Sequence, residues 1–77
     1  MRIYGSMQCP DCEECCKDLD SAGVDYSFLE FSDNLKNLKE FLEIRDHDPL
    51  FDEIKREGKI GIPCIVHDDG TVSLNWK

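Results

Sequence analysis

The stretch RIYGSMQCPDCEECC, residues 2–16, leads from a strand-forming segment directly into a helix-forming one. Ile3 and Tyr4 favour a strand, and the segment that follows them has the character of a turn. Pro10 suits the first turn of a helix, where its missing amide hydrogen is not needed. Sulfur-bearing and apolar side chains then recur at helical spacing until Gly23, which can end the helix in a left-handed conformation. The stretch therefore predicts a strand and a helix joined at a Cys-Pro-Asp-Cys motif.

The residues that follow predict a second strand and a second helix. The segment VDYSFLEF, residues 24–31, alternates apolar and polar side chains and is rich in aromatic residues, as strands are. Ser32 or Asp33 is suited to cap the next helix. Apolar residues recur along that helix at helical spacing, and three of them form a stripe that we expect in the core: Leu35, Leu38 and Leu42.

The last part of the chain predicts a short helix and a strand hairpin. Asp48 before Pro49 marks the start of the helix, because an acidic cap followed by proline is a typical helix beginning. The segment IGIPCIVH, residues 60–67, is an apolar strand interrupted by a proline. After the tight turn DDG, the segment TVSLNW, residues 71–76, alternates as a strand does.

Together these elements predict one α/β domain over residues 1–77, with a mixed four-stranded sheet and helices on its faces. The opening strand–helix–strand unit requires a parallel pair joined by a right-handed crossover, and the final hairpin adds antiparallel strands. A chain of 77 residues is long enough for one small core and too short for two.

Composition limits the partners and the compartment. Seventeen acidic and nine basic residues give a net charge of -8, which repels phosphate backbones and anionic lipids, so we expect neither nucleic acid nor membrane as a partner. No run approaches the roughly 20 apolar residues of a membrane span, and no apolar signal segment follows Met1. The odd number of cysteines, five, does not suit a disulfide framework. These features favour the cytoplasm, where cysteine clusters usually serve catalysis or metal binding.

The two cysteines of the Cys-Pro-Asp-Cys motif have different positions relative to the predicted helix. Cys9 lies at or just before the helix N-terminus, whose free amide hydrogens and partial positive charge favour a thiolate. Cys12 lies one turn inside, close enough to form a disulfide with Cys9 without movement of the backbone. The positions predict that Cys9 is the nucleophile toward a disulfide and that Cys12 resolves the mixed disulfide that results.

Pro63 is unusual inside an apolar strand, because proline cannot donate a hydrogen bond to a neighbouring strand. A cis bond between Ile62 and Pro63 would remove the misfit and would leave the amide and carbonyl of Ile62 free to pair with an extended substrate chain. We therefore expect Pro10 and Asp11, within the motif, and Ile62 and Pro63, elsewhere in the fold, to contact the substrate.

The order of these motifs resembles that of small glutaredoxin-like proteins of the thioredoxin superfamily. The resemblance rests on CPDC after the first strand and on IGIPCIVHDDG, residues 60–70, which is similar to the family's strand with a cis-proline and a following turn. It implies a thioredoxin-like fold, here without the usual C-terminal helix. It also implies Cys9 as nucleophile, Cys12 as resolving thiol and Pro63 as the cis-proline beside them.

The resemblance implies a thiol–disulfide oxidoreductase that reduces protein or mixed disulfides and contributes to redox homeostasis. Its partners would be a disulfide-containing protein and a thiol reductant, such as a thioredoxin reductase or glutathione. No cofactor is implied apart from glutathione as a reductant. We expect the chain to act as a monomer.

The chain departs from the glutaredoxin pattern where glutathione would bind. Residues 6–8 contain no basic residue, and the family's Gly-Gly-Asp stretch is missing after the hairpin. Four acidic residues surround the dithiol: Asp11, Glu13, Glu14 and Asp18. Because glutathione carries a net negative charge, these carboxylates disfavour it as the reductant.

The other three cysteines have simpler interpretations than a catalytic role. Cys15 lies on the helix stripe that should face the sheet, where a free cysteine packs as a small hydrophobe. Cys64 lies in an apolar strand and is expected to be buried. Cys16, one turn after Cys12, is either a partly exposed, inert thiol or a secondary redox group.

A thiol-rich metal or iron–sulfur binding module without turnover is the alternative function. Thiolates select zinc, copper(I) and iron–sulfur clusters, and four of them complete a tetrahedral site. However, the four cysteines between residues 9 and 16 turn around one helix axis instead of converging, as paired knuckles do. We therefore predict no metal ligands in the chain.

Overall fold

The computed structural model describes residues 1–76, and its element order is the predicted one. The elements are β1 (Arg2–Gly5), α1 (Pro10–Ser21), β2 (Ser27–Glu30), α2 (Leu35–His47), a 3-10 turn (Pro49–Phe51), α3 (Asp52–Arg56), β3 (Cys64–Val66) and β4 (Val72–Ser73). None of the helices in the described part is long and apolar enough to cross a membrane.

The four strands form one mixed sheet in the order β2-β1-β3-β4. β1 pairs with β2 in parallel, with Gly5 opposite Glu30, and pairs with β3 antiparallel. β4 adds to β3 antiparallel. Because β1 and β2 are parallel, their carboxyl ends lie at the same edge of the sheet, and the loop into α1 starts at that edge. The predicted mixed four-stranded α/β sheet is confirmed.

The strands are shorter than the sequence pattern predicts, because neighbouring backbone groups have other partners. Val24 donates its amide hydrogen to the Leu19 carbonyl at 3.0 Å, which closes the end of α1 and delays β2 until Ser27. After β4, the Ser73 hydroxyl donates to the Asn75 carbonyl at 2.7 Å, and the strand ends at Ser73. Before β3, Pro63 has no amide hydrogen to give to a neighbouring strand.

The alternation of side chains along the strands builds a core on both faces of the sheet. On one face, α1 contributes to a buried cluster formed by Ile3, Cys15, Leu19 and Ile65. On the other face, α2 and the 3-10 turn cover a cluster formed by Tyr4, Phe41, Phe51, Cys64 and Val66. Ile3 and Tyr4, which are neighbours in β1, therefore belong to different clusters.

The predicted leucine stripe of α2 is wrong for two of its three members. Leu35 is 66% exposed and Leu42 is 38% exposed, whereas Phe41 is 1% exposed. Phe41 faces the sheet because its ring stacks on Phe31, with ring centroids 5.0 Å apart. Since successive residues of a helix are rotated by about 100° around its axis, the Leu42 side chain then points away from the core. Leu38 is partly buried against the cluster, as predicted.

The start of α2 also differs from the prediction. The cap is Asn34, whose side-chain oxygen accepts a hydrogen bond from the Asn37 amide at 3.1 Å. Ser32 does not cap the helix because its hydroxyl donates to Glu30 at 2.6 Å. The short helix after α2 begins as predicted, since the Asp48 carboxylate accepts from the Leu50 amide at 2.9 Å.

Candidate active site

Cys9 is the N-cap residue of α1, as the sequence predicts. Its backbone is extended, with φ -95° and ψ 122°, and its side chain makes no capping hydrogen bond. The Cys9 amide donates to the Ser6 carbonyl at 3.0 Å, and the Cys9 carbonyl accepts from the Glu13 amide at 3.2 Å. The backbone thus holds the residue in place while the half-buried thiol stays free for chemistry at the positive end of the helix.

Cys12 is fully buried one turn into α1, beneath Cys9. The Cys9 sulfur and the backbone of Ser6 lie near its thiol and influence its ionisation. Burial, together with the nearby Cys9 sulfur, raises the pKa of Cys12 to about 12. Cys12 therefore remains a protonated thiol that can stabilise negative charge on Cys9. The two cysteines therefore differ in exposure, and burial keeps Cys12 protonated.

Gly5, at the end of β1, provides the space that the Cys12 sulfur occupies. A Cβ atom at position 5 would lie 2.6 Å from the Cys12 sulfur and 3.5 Å from the Phe28 ring. A separation of 2.6 Å is shorter than Cβ atoms tolerate from any other heavy atom. Any side chain at this position would therefore displace the Cys12 sulfur. Sequence reasoning missed this role because the contact joins two elements that are predicted separately.

Glu30, at the end of β2, holds the loop before Cys9 through its carboxylate. Its carboxylate accepts hydrogen bonds from the Met7 amide at 2.9 Å and from the Ser32 amide at 3.1 Å. It also accepts from the Ser32 hydroxyl at 2.6 Å. These hydrogen bonds, that of the Ser32 hydroxyl first, lower the pKa of Glu30 to about 2. Local sequence patterns do not reveal this role of Glu30, since its partner Met7 lies 23 residues away.

Replacing Glu30 with glutamine is expected to destabilise the fold in a pH-dependent way. Glu30 has its ordinary pKa of 4.5 when unfolded and about 2 when folded, so its stabilisation is complete above pH 4.5 and is lost as pH falls toward 2. Glu30→Gln should cost about 1–2 kcal/mol at pH 7, allowing for partial solvent exposure. Urea denaturation at several pH values should show the difference from the unaltered chain shrinking below pH 4.5.

The matched control is Asp25→Asn, which removes a carboxylate from the exposed loop before β2. Its effect on the free energy of unfolding should stay within about 0.5 kcal/mol across the same range of pH. A Glu30→Gln difference that is equal at pH 7 and pH 3 would contradict the role of the ionised carboxylate.

A groove of about 410 Å³ opens beside Cys9. Cys9 and Asp11, at the start of α1, line the groove together with Ile62, which lies before β3. The remaining apolar lining consists of aliphatic side chains from α3, the loop after it and the end of the chain: Ile54, Ile60 and Leu74. This volume falls within the range of roughly 300–1,000 Å³ that is typical of ligand sites. The arrangement can place a substrate's disulfide at the Cys9 sulfur.

The four predicted substrate contacts are only partly brought together. Asp11 and Ile62 line the groove with Cys9. Pro10 is exposed as the first residue of α1, and Pro63 is buried next to Ile62, so neither is among the lining residues. The predicted cis bond between Ile62 and Pro63 is confirmed.

Two contacts, one from α2 and one from the 3-10 turn, hold the loop of residues 59–61 that forms part of the groove wall. Local sequence patterns predict neither contact. Arg45 donates to the carbonyl of Lys59 at 2.7 Å and to that of Ile60 at 2.9 Å. Gly61 has a φ of +92°, and a Cβ atom there would lie 2.8 Å from the Phe51 ring. Glycine at this position therefore lets the backbone of this loop pass close to the buried Phe51 ring.

The three other cysteines are buried. Cys15 is 0% exposed within the core of the α1 face, and Cys64 is 0% exposed within the core of the opposite face, so the predicted packing roles are confirmed. Burial raises the pKa of Cys15 to about 11 and that of Cys64 to about 12. Cys16 is 6% exposed, so the expectation of a partly exposed thiol is wrong. Its secondary redox role stays a prediction.

All five cysteines lie in the described part of the chain and are free thiols. Among residues 1–76, no group of three or more His, Cys, Asp or Glu side chains is placed to hold a metal ion. The cysteines of α1 point toward different surroundings, with Cys12 at β1 and Cys15 in the core.

Comparison with known proteins gives a relative without a described activity. The chain is 40% identical over 73 residues to a protein of Haemophilus influenzae that is described as uncharacterized. The match covers 95% of this chain and 85% of the Haemophilus protein, and the chain belongs to the same family as that protein. No family model matches the chain. No solved structure matches it significantly.

Proposed function

We propose that this member of the Haemophilus protein's family is a thiol–disulfide oxidoreductase with a glutaredoxin-like variant of the thioredoxin fold. The observation that carries the proposal is the pairing of two unlike thiols at one helix N-terminus. Cys9 is half-buried and lines a groove, whereas Cys12 is buried beside it and stays protonated. The mixed sheet order and the cis Ile62–Pro63 bond are consistent with the proposed fold.

In the first step, the Cys9 thiolate attacks one sulfur of a substrate disulfide. A bond forms between Cys9 and that sulfur while the substrate's own sulfur–sulfur bond breaks. The second substrate sulfur leaves as a thiolate and takes a proton from water. The neighbouring Cys12 thiol and the N-terminus of α1 stabilise the charge on Cys9 before the attack.

In the second step, Cys12 loses its proton to water and attacks the Cys9 sulfur. The Cys9–Cys12 disulfide forms, and the remaining substrate sulfur leaves as a thiolate that is then protonated. The substrate has gained two electrons and two protons, and the protein has lost them. An external thiol reductant then reduces the Cys9–Cys12 disulfide and restores the two thiols.

The substrate segment is proposed to lie extended along the backbone of Ile62, which lines the groove together with Cys9. Asp11 at the groove disfavours anionic glutathione, so a reductant of the thioredoxin reductase type suits the site better. A reducing compartment such as the cytoplasm would keep the five free cysteines in the thiol state.

The proposed function is tested by trapping the first intermediate. A Cys12→Ser variant lacks the resolving thiol, so reaction with a peptide disulfide should stop at a mixed disulfide with one peptide per chain. Intact mass measurement without reductant and peptide mapping should place the peptide on Cys9. The double variant Cys9→Ser, Cys12→Ser is the control and should remain unmodified.

Absence of an adduct on Cys12→Ser, or an adduct on a cysteine other than Cys9, would contradict the two-thiol mechanism. Stoichiometric zinc, copper or iron in protein purified without oxygen would instead support the metal-binding alternative, in which the cysteines hold an ion or cluster and no turnover occurs.

A further inference from the structure

We infer that Glu30 is a positioning residue for the second step of the proposed reaction, in which Cys12 attacks the Cys9 sulfur. Glu30 fixes Met7 and, with it, the preceding residue Ser6, which lies beside both cysteines. This inference rests on the proposed function and assigns a role in it to a side chain that is not among the lining residues of the groove. It is drawn from the hydrogen bonds around Ser6 and from the packing of the Cys12 sulfur.

Ser6 lies beside both members of the dithiol. Its carbonyl accepts a hydrogen bond from the Cys9 amide at 3.0 Å. Its backbone also lies near the thiol of Cys12, whose sulfur fills the space next to the neighbouring Gly5. Burial raises the pKa of Cys12, and the backbone of Ser6 opposes that rise. A displacement of Ser6 would therefore change both the position of Cys9 and the ionisation of Cys12.

Both neighbours of Ser6 in the chain are held by the end of β2. The Gly5 carbonyl accepts a hydrogen bond from the Phe31 amide at 3.0 Å, and Gly5 lies opposite Glu30 in the parallel pair of strands. The Met7 amide donates to Oε1 of Glu30 at 2.9 Å. The first of these bonds joins two backbone groups, whereas the second depends on one carboxylate. Glu30 is thus the side chain through which β2 fixes the residues before Cys9.

The two chemical steps depend differently on this position. In the first step, the substrate disulfide diffuses to Cys9 and adopts its own orientation. In the second step, both reacting sulfurs belong to the protein, and Cys12 is 0% exposed. Its sulfur must approach the Cys9 sulfur in line with the bond that breaks, so the rate depends on how accurately the backbone holds the two residues. Loosening Ser6 should therefore slow the second step and leave the first nearly unchanged.

The test uses dithiobis(nitrobenzoate), a symmetrical disulfide whose two halves each absorb visible light when they are released as thiolates. Attack by Cys9 releases the first half, and closure of the Cys9–Cys12 disulfide releases the second. When the reduced protein is mixed with one equivalent in a stopped-flow instrument, the absorbance should rise in two phases. The rate of the first phase should increase with concentration, and that of the second should not. Cys12→Ser should release the first half alone, which assigns the phases.

Glu30→Gln should lower the rate constant of the second phase by about tenfold and change that of the first by less than about twofold. Glutamine keeps one acceptor oxygen, whereas the carboxylate uses one oxygen for Met7 and the other for Ser32. Ser6→Ala is a second, milder variant, since it removes the hydroxyl that accepts from the Gln8 amide at 3.2 Å. It should lower the rate constant of the second phase by about threefold.

The matched control is Ser32→Ala. It removes the hydrogen bond of 2.6 Å from the Ser32 hydroxyl to Oε2 of Glu30 and keeps the bond from Met7 to Oε1. It should lower the free energy of unfolding while changing each rate constant by less than about twofold. Equal slowing of the second phase in Ser32→Ala and Glu30→Gln would overturn the inference, since the effect would then not depend on the bond to Met7.

A second phase of unchanged rate in Glu30→Gln and Ser6→Ala, or equal slowing of both phases, would also overturn the inference while leaving the proposed function standing. Release of only one half by the unaltered chain would contradict the proposed function and the inference together, because Cys12 would then not resolve the mixed disulfide.

Discussion

Replacing Cys9 with serine is expected to reduce the rate of disulfide reduction by about a thousandfold, to the level of the uncatalysed exchange. A serine hydroxyl is not ionised at neutral pH and does not attack disulfides. Cys12 cannot take over, because it is 0% exposed and its pKa is raised to about 12. The measurement is a turbidity assay of insulin reduction, with a dithiol reductant in excess.

The control for this loss is Cys16→Ala, which removes a thiol from the same helix one turn beyond Cys12. Its activity should stay within about twofold of that of the unaltered chain at a temperature where both are folded. Circular dichroism should show that Cys9→Ser keeps its fold, since the Cys9 side chain makes no capping hydrogen bond. Full activity in Cys9→Ser would refute Cys9 as the nucleophile, whereas equal losses in both variants would indicate a general effect on α1.

Replacing Phe51 with alanine is expected to lower the free energy of unfolding by about 3–5 kcal/mol. The Phe51 ring is 0% exposed and meets the Phe41 ring edge-on, with centroids 6.2 Å apart. Its removal leaves a cavity in the core beneath α2 and beneath Gly61 in the groove wall. For a domain of this size, the thermal midpoint should fall by about 12 °C or more. Urea and thermal denaturation measure both changes.

The matched control is Leu50→Ala, at the neighbouring position of the same turn. Leu50 is 42% exposed, so its truncation should cost less than about 1 kcal/mol. If Phe51→Ala does not fold, Phe51→Leu, which retains most of the volume, should still show a loss of about 1–2 kcal/mol. Equal effects at positions 50 and 51 would show that Phe51 does not anchor the core.

The positions of Cys9 and Cys12 on α1 follow from a local pattern, and for that reason they could be predicted. A strand, a turn and a proline at the first helical position place Cys9 at the cap and Cys12 one turn inside. The packing role of Cys15 follows from the same helical period. All three positions depend on residues within one element and its ends, where spacing in sequence translates directly into spacing in space.

The phase of α2 could not be predicted in the same way. Several apolar residues share the helical period, and the pattern alone does not say which of them faces the sheet. Stacking of Phe41 on Phe31 and its edge-on contact with Phe51 select one rotation, and Leu35 and Leu42 are left at the surface. The choice depends on shape and volume in a core that several elements share.

The sequence by itself determined the order of strands and helices, the cis Ile62–Pro63 bond and the positions of the two thiols on α1. Only the tertiary structure decided what surrounds those thiols. Glu30 reaches the loop before Cys9, Gly5 makes room for the Cys12 sulfur, and aliphatic side chains line one groove together with Asp11. The physical reason is that these contacts depend on strand register and on packing between distant segments. The local periodicity of a sequence specifies neither of them.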